Sequence, residues 1–155
     1  MLRLFTLLKN LIHFSAINDG SKKIVFYSEG SNYWTHFQGL ILETLNLVNF
    51  DIIYLSSDPD DPGLRLIHPR YYSFDIGDGH IRSWVFQNLN TCVAVMTTPD
   101  LETYQLKKSI FPVHYVYIQH SLVSLHMAYG ESAFDAFDTI FCAGPHHVNE
   151  LRAIE

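Results

Sequence analysis

The stretch KKIVFYSEGSNYWTHFQGLILETLNLVNFDIIYLSS, residues 22–57, decides the fold. Residues 22–28 read as a strand around the β-branched and aromatic run Ile24–Tyr27, and Glu29-Gly30-Ser31-Asn32 then breaks it. From about Thr35 to Leu47 the apolar spacing changes to that of a helix, with Phe37, Leu40, Ile41, Thr44, Leu45 and Val48 on one face. DIIYLSS (51–57) returns to a strand pattern. A strand, a helix and a strand in succession form a βαβ unit, which makes the two strands parallel.

The same alternation continues outward. DPDDPG closes the second strand, and its two prolines and three aspartates read as irregular chain. YYSFDI (71–76) is a weaker strand, followed by a helix over His80–Asn88. TCVAVMTT (91–98) is nearly all apolar, as expected of a strand covered on both faces. Thr98-Pro99-Asp100-Leu101 predicts a helix to about Ser109, then VHYVYIQ (113–119) a fifth strand and FDTIFCA (137–143) a sixth. Gly144-Pro145 opens a last helix through Arg152. The expected fold is α/β: a Rossmann-like parallel sheet of about six strands in the order 3-2-1-4-5-6, with helices on both faces.

Length and composition fit this. The chain has 155 residues, enough for one domain with a real core, and is 48% hydrophobic. Its net charge of −6 argues against broad nucleic-acid binding, which needs a cationic surface. Charge is uneven, however. Residues 1–23 hold Arg3, Lys9, Lys22 and Lys23 against Asp19, a balance of +3, which leaves −9 for the remainder. Cys92 and Cys142 read as buried thiols in a reducing, cytoplasmic compartment, because no cysteine framework surrounds them.

Residues 1–20 form an amphipathic segment ahead of the domain at 21–155. MLRLFTLLKNLIHFSAI is short for a span, which wants ~20 predominantly apolar residues, and lacks a signal-peptide cleavage site. On a helix Leu4, Leu7, Leu8, Leu11 and Ile12 share a face, which suits docking on the same protein or contact with an anionic membrane surface.

Ligands of such sheets bind beyond the carboxyl ends of the strands. Those ends carry Ser28-Glu29-Gly30-Ser31-Asn32, Thr97-Thr98-Pro99-Asp100, Gln119-His120-Ser121 and Ala143-Gly144-Pro145-His146-His147. The first loop has one glycine and a carboxylate where a dinucleotide's pyrophosphate would pass, so no nicotinamide or flavin cofactor is expected. Glu29, Ser31 and Asn32, with Ser121, suit the hydroxyls of an acceptor; Ser31 or Thr35 also fits as a helix cap. His120 is the candidate base. His146 and His147 open a helix, where free N–H groups favour phosphate, although an ordinary Gly-Pro helix start accounts for the same residues. No metal is expected: His146 and His147 diverge by about 100° on a helix, and His120, His126 and Glu131 match no ligand spacing.

KKIVFYSEGSNYWTHFQGLI and YVYIQHSLVSLHMAYGESAFDAFDTIFCAGPHHVNELRAIE resemble the amino-terminal half of the CDP-glycerol glycerophosphotransferases over residues 22–155. The resemblance implies one half of a GT-B fold and a role in building teichoic-acid-like surface polymers. In that family a strand ends in a Trp-His-Gly-Thr-like segment; here Gln119 stands for the tryptophan and Ser121 for the glycine. The resemblance carries over His120 as general base toward an acceptor hydroxyl. It also implies a CDP-linked donor as substrate, a polyol-phosphate or glycan acceptor, and a carboxy-terminal donor domain not contained in these residues. A cytoplasmic protein peripheral to the inner membrane face would follow. A sugar-nucleotide epimerase-like half and a non-catalytic Rossmann-like binding module are the other classes the residues allow.

Overall fold

In a computed structural model, residues 2–17, 22–99, 101–102, 106–124, 129–130 and 132–154 are described. The elements are α1 (Leu2–Ala16), β1 (Ile24–Ser28), α2 (Trp34–Leu47), β2 (Ile52–Ser56), β3 (Tyr71–Asp75), α3 (Gly79–Gln87), β4 (Val93–Met96), β5 (His114–Ile118), β6 (Thr139–Phe141) and α4 (Pro145–Ile154). The strands form one sheet in the order β3-β2-β1-β4-β5-β6, and every pair is parallel. This is the Rossmann-like order the sequence predicts.

Alternation along the strands divides the core in two. Val25, Tyr27, Ile53, Leu55, Ala94 and Met96 face α1 and α3, where Phe14, Val85 and Phe86 meet them. Phe26, Ile52, Tyr54, Val95 and Val116 face α2, which supplies Trp34, Phe37, Ile41 and Leu45. Each such fully buried side chain contributes about 1.5–3 kcal/mol, so the apolar stripe of α2 holds that helix in place. At its far end the Arg70 guanidinium donates to the Leu45 and Val48 carbonyls, which lack helical partners.

Four expectations need correction. The DPDDPG turn is ordered: fully buried Asp61 caps a short 3-10 turn over Pro62–Arg65, accepting from Gly63 N at 2.8 Å. Neither Ser31 nor Thr35 caps α2. A 3-10 turn at Ser31–Tyr33 leads into it, and the Thr35 hydroxyl donates back to Asn32 O. No helix spans 98–109 among the described residues. Glu102 has φ 75°, outside helical backbone, and its carboxylate accepts from Lys108 N. Cys92 is exposed, because it precedes β4 at the open amino edge of the sheet, and Cys142 is half-buried.

α1 docks on its own domain through only part of the leucine face, with Leu7 and Leu11 turned inward. Phe14 is buried, Leu11 packs against the same core, and Leu7 presses on Gly77, where a Cβ would lie 3.1 Å from its Cδ1. Gly77 has φ 61°, so a side chain there would also be strained. Asn10, on that inner face, donates to the Asp75 carbonyl at 2.9 Å. Leu8 and Ile12 point outward with Phe5. Among the described residues no helix is long and apolar enough to cross a membrane.

Candidate functional site

The parallel register aligns the carboxyl ends of the strands. Ser28 lies beside Ser56 and is one residue beyond the Tyr27–Met96 pair, and Met96 pairs with Tyr117. The residues that follow, Glu29, Thr98 and Gln119, therefore lie along one edge, with His120 one step further. Successive side chains point to opposite faces of the sheet. Glu29 accordingly turns toward α3, and His120 toward α2.

His120 is half-buried and surrounded by rings. Its centroid lies 5.3 Å from Tyr33, 5.6 Å from His36 and 6.5 Å from Tyr117. Nδ1 is buried and makes no hydrogen bond of good geometry. Burial lowers the His120 pKa below the ordinary histidine value, and the neighbouring His36 lowers it further, while the Ile118 backbone opposes both. Both effects favour the neutral imidazole, the form that can accept a proton.

Folding lowers this pKa, so near pH 6 the unfolded chain binds more protons than the native one. His120 contributes stability above its ordinary pKa, and that stability is lost as pH falls through the lowered value. His36 is exposed at the first turn of α2, so His36→Gln should keep the fold while removing one cause of the shift. The expected result is a His120 ring titration by NMR that runs below the ordinary value of about 6.5 in the native chain and moves upward in His36→Gln. An unchanged midpoint would show that the two rings do not interact.

Glu29 belongs to a neighbouring cluster. Burial raises its pKa above the usual carboxylate range, with Arg82 and the Thr98 hydroxyl opposing. Arg82, from α3, donates to Tyr27 Oη at 3.4 Å, and that oxygen lies 3.0 Å from Ser57 Oγ. Glu29 also raises the Tyr33 pKa, although burial is the larger cause. Tyr33 therefore stands between the two clusters, in ring contact with His120 and within the field of Glu29.

The loop that carries these groups is fixed from below. Asp58 accepts from Ser31 N at 3.0 Å and Asp60 N at 2.9 Å, and these bonds hold its pKa below the ordinary value. Ser31 is thus placed by its backbone, with its side chain half-buried, and Asn32 is exposed beside it. Ser121 lies past the strand end, with Oγ accepting from Val123 N and its carbonyl from Gln119 Nε2. Thr97 Oγ1 and Gln119 Oε1 are buried near this edge without partners.

His146 and His147 do not join the His120 cluster. His147 is fully buried and its Nε2 donates to the Val123 carbonyl at 3.0 Å, tying α4 under the loop that leaves β5. His146 is exposed, and the two rings lie 3.9 Å apart at 49°. Among the described residues no group of three or more His, Cys, Asp or Glu is placed to hold a metal; His126, Glu131 and Asp100 lie outside those residues.

Sequence reasoning passed over His36 and Arg82. His36 had a visible signal, since it lies one helical turn beyond Tyr33, on the face away from the core pattern. Arg82 had none, because only the fold brings α3 over the end of β1. No family model matches the chain, and no curated protein or solved structure matches it.

Proposed function

We propose that this chain is the acceptor side of a transferase. It moves glycerol phosphate, or a related polyol- or glycosyl-phosphate group, from a CDP-linked donor to a hydroxyl of a surface polymer. The observation that carries the reading is His120: a half-buried imidazole beyond the carboxyl end of β5, with its pKa lowered chiefly by burial, beside Tyr33 and His36. The resemblance to the glycerophosphotransferases supplies the substrate class and assigns the donor nucleotide to a further domain.

In this reading His120 takes the proton of the acceptor hydroxyl as its oxygen attacks the glycerol-bearing phosphorus. The bond from that phosphorus to the bridging oxygen breaks, and CMP leaves with the electron pair. A base with a pKa near the working pH suits this step, and positioned bases contribute about 10²–10⁴-fold. Glu29, Ser31, Asn32 and Ser121 bind the acceptor, and Arg82 offsets the charge of Glu29. Action in the cytoplasm accords with the free thiols of Cys92 and Cys142.

The test is incubation of the whole gene product carrying this sequence with CDP-glycerol, with and without a polyol-phosphate acceptor. CMP release that requires the acceptor is expected. Release of nucleotide from a UDP-sugar but not from CDP-glycerol would replace this reading with a sugar-nucleotide one.

A further inference from the structure

The end of β5 carries a buried acceptor that the fold leaves unused. Gln119 is 7% exposed, and its Nε2 donates to the Ser121 carbonyl at 2.9 Å. A carbonyl takes only the nitrogen of an amide, so that bond fixes the side chain and leaves Oε1 as the open acceptor. Oε1 is buried and has no hydrogen-bond partner among the described residues. Buried polar atoms of folded proteins rarely stay unpaired.

The register shows what stands beside it. Tyr27, Met96 and Tyr117 are paired across β1, β4 and β5. Two residues further along each strand come Glu29, Thr98 and Gln119, and the Gln119 N–H still donates to Phe141 O at 3.0 Å. Alternation returns these three to the face of Tyr27, Met96 and Tyr115, the α3 side, opposite to His120. The Thr98 hydroxyl and the Arg82 guanidinium both act on the Glu29 carboxyl. With strands about 4.8 Å apart, the row spans about 10 Å.

Chemistry selects the occupant. The Gln119 oxygen can only accept, as can an ionised Glu29, so the row needs a ligand that brings O–H or N–H groups. Phosphate oxygens bring mainly acceptors, and charge of the same sign as Glu29. Hydroxyls donate to Glu29 and Gln119 and accept from Thr98 and Arg82 in turn. We propose that Glu29, Thr98 and Gln119 form a polyhydroxyl-binding row, which holds an uncharged, hydroxyl-rich segment of a ligand against the α3 side of the sheet edge. Calling that ligand the acceptor rests on the transferase reading; the row itself does not. The resemblance implies a tryptophan where Gln119 stands, and an indole accepts no hydrogen bond, so the resemblance does not supply the row.

NMR titration of the 155-residue chain with sorbitol, against inorganic phosphate at equal ionic strength, tests it. Sorbitol is expected to give saturable shifts in the Gln119 side-chain amide and in the backbone amides of Glu29, Thr98 and Gln119, and phosphate none there. Gln119→Leu and Thr98→Val should each weaken sorbitol about fivefold to tenfold, the loss of one hydrogen bond, while circular dichroism shows the native fold. Thr98→Val keeps the side-chain shape, so it decides the matter should Gln119→Leu unfold. Equal or larger shifts from phosphate at the row, no saturable shift from sorbitol, or unaltered sorbitol affinity in either folded variant would overturn the proposal. Sorbitol binding without CMP release from CDP-glycerol would keep the row and end the transferase reading. Acceptor-dependent CMP release without sorbitol shifts at the row would do the reverse.

Discussion

His120→Ala in the whole gene product should lower acceptor-dependent CMP release by ~10²-fold or more, the loss expected when a positioned base is removed. An acceptor hydroxyl is a weak nucleophile at neutral pH, and among the described residues no other histidine lies within two residues of the carboxyl end of a strand. Only the exposed His36 lies beside it, at 5.6 Å. The fold should survive, because His120 is half-buried at the sheet edge and its removal forfeits ring contacts with Tyr33 and Tyr117 rather than a core packing position. The variant should also lose the acidic limb that His120 protonation imposes on the rate. Normal turnover, or loss that tracks unfolding, would make the histidine structural, and the non-catalytic binding-module reading would then lead.

Asp61→Ala should cost about 3–5 kcal/mol of stability. The side chain is fully buried, and its carboxyl accepts from Tyr54 Oη at 2.9 Å, Ser56 Oγ at 2.8 Å and Gly63 N at 2.8 Å. Removing the shared acceptor strands buried donors, each at about 1–3 kcal/mol. Gly63 cannot shift to compensate, because a Cβ at that position would already lie 2.4 Å from the Tyr54 ring and 2.7 Å from Trp34. For a chain of this size the loss corresponds to a fall in Tm of about 10 °C or more. The effect should reach the site, since the same turn holds Asp58 under Ser31. Thermal unfolding followed by circular dichroism measures it, and a fall of less than about 2 °C would show that the turn relaxes without strain.

β1, α2 and β2 were legible because their periodicity changes cleanly from strand to helix and back, and α2 buries Phe37, Ile41 and Leu45 as that spacing requires. α1 was legible as a helix but not in its orientation. Asn10 looks like an interruption of the apolar face, yet it lies inside, bonded to the Asp75 carbonyl, while Leu8 and Ile12 lie outside. The segment after β4 misled through its Thr-Pro-Asp helix-start signature. Leu101 and Leu106 are both buried in one core although five residues apart, a spacing a helix cannot serve from one face. His120 was legible because strand ends are where such folds bind ligands. Its partners Tyr33 and His36 come from a different element, and a single sequence holds no sign of which helix turn will face which strand end.

The most direct test of the acceptor site is the amide and histidine-ring NMR spectrum of the 155-residue chain during titration with a polyol-phosphate acceptor such as glycerol 3-phosphate. The account expects saturable shifts confined to residues 29–33, His36, Thr98 and 119–121, with the His120 ring moving furthest. Shifts centred instead on the approximately 310 Å³ cavity between Leu101, Lys108 and Asp135, or none at saturating acceptor, would contradict it.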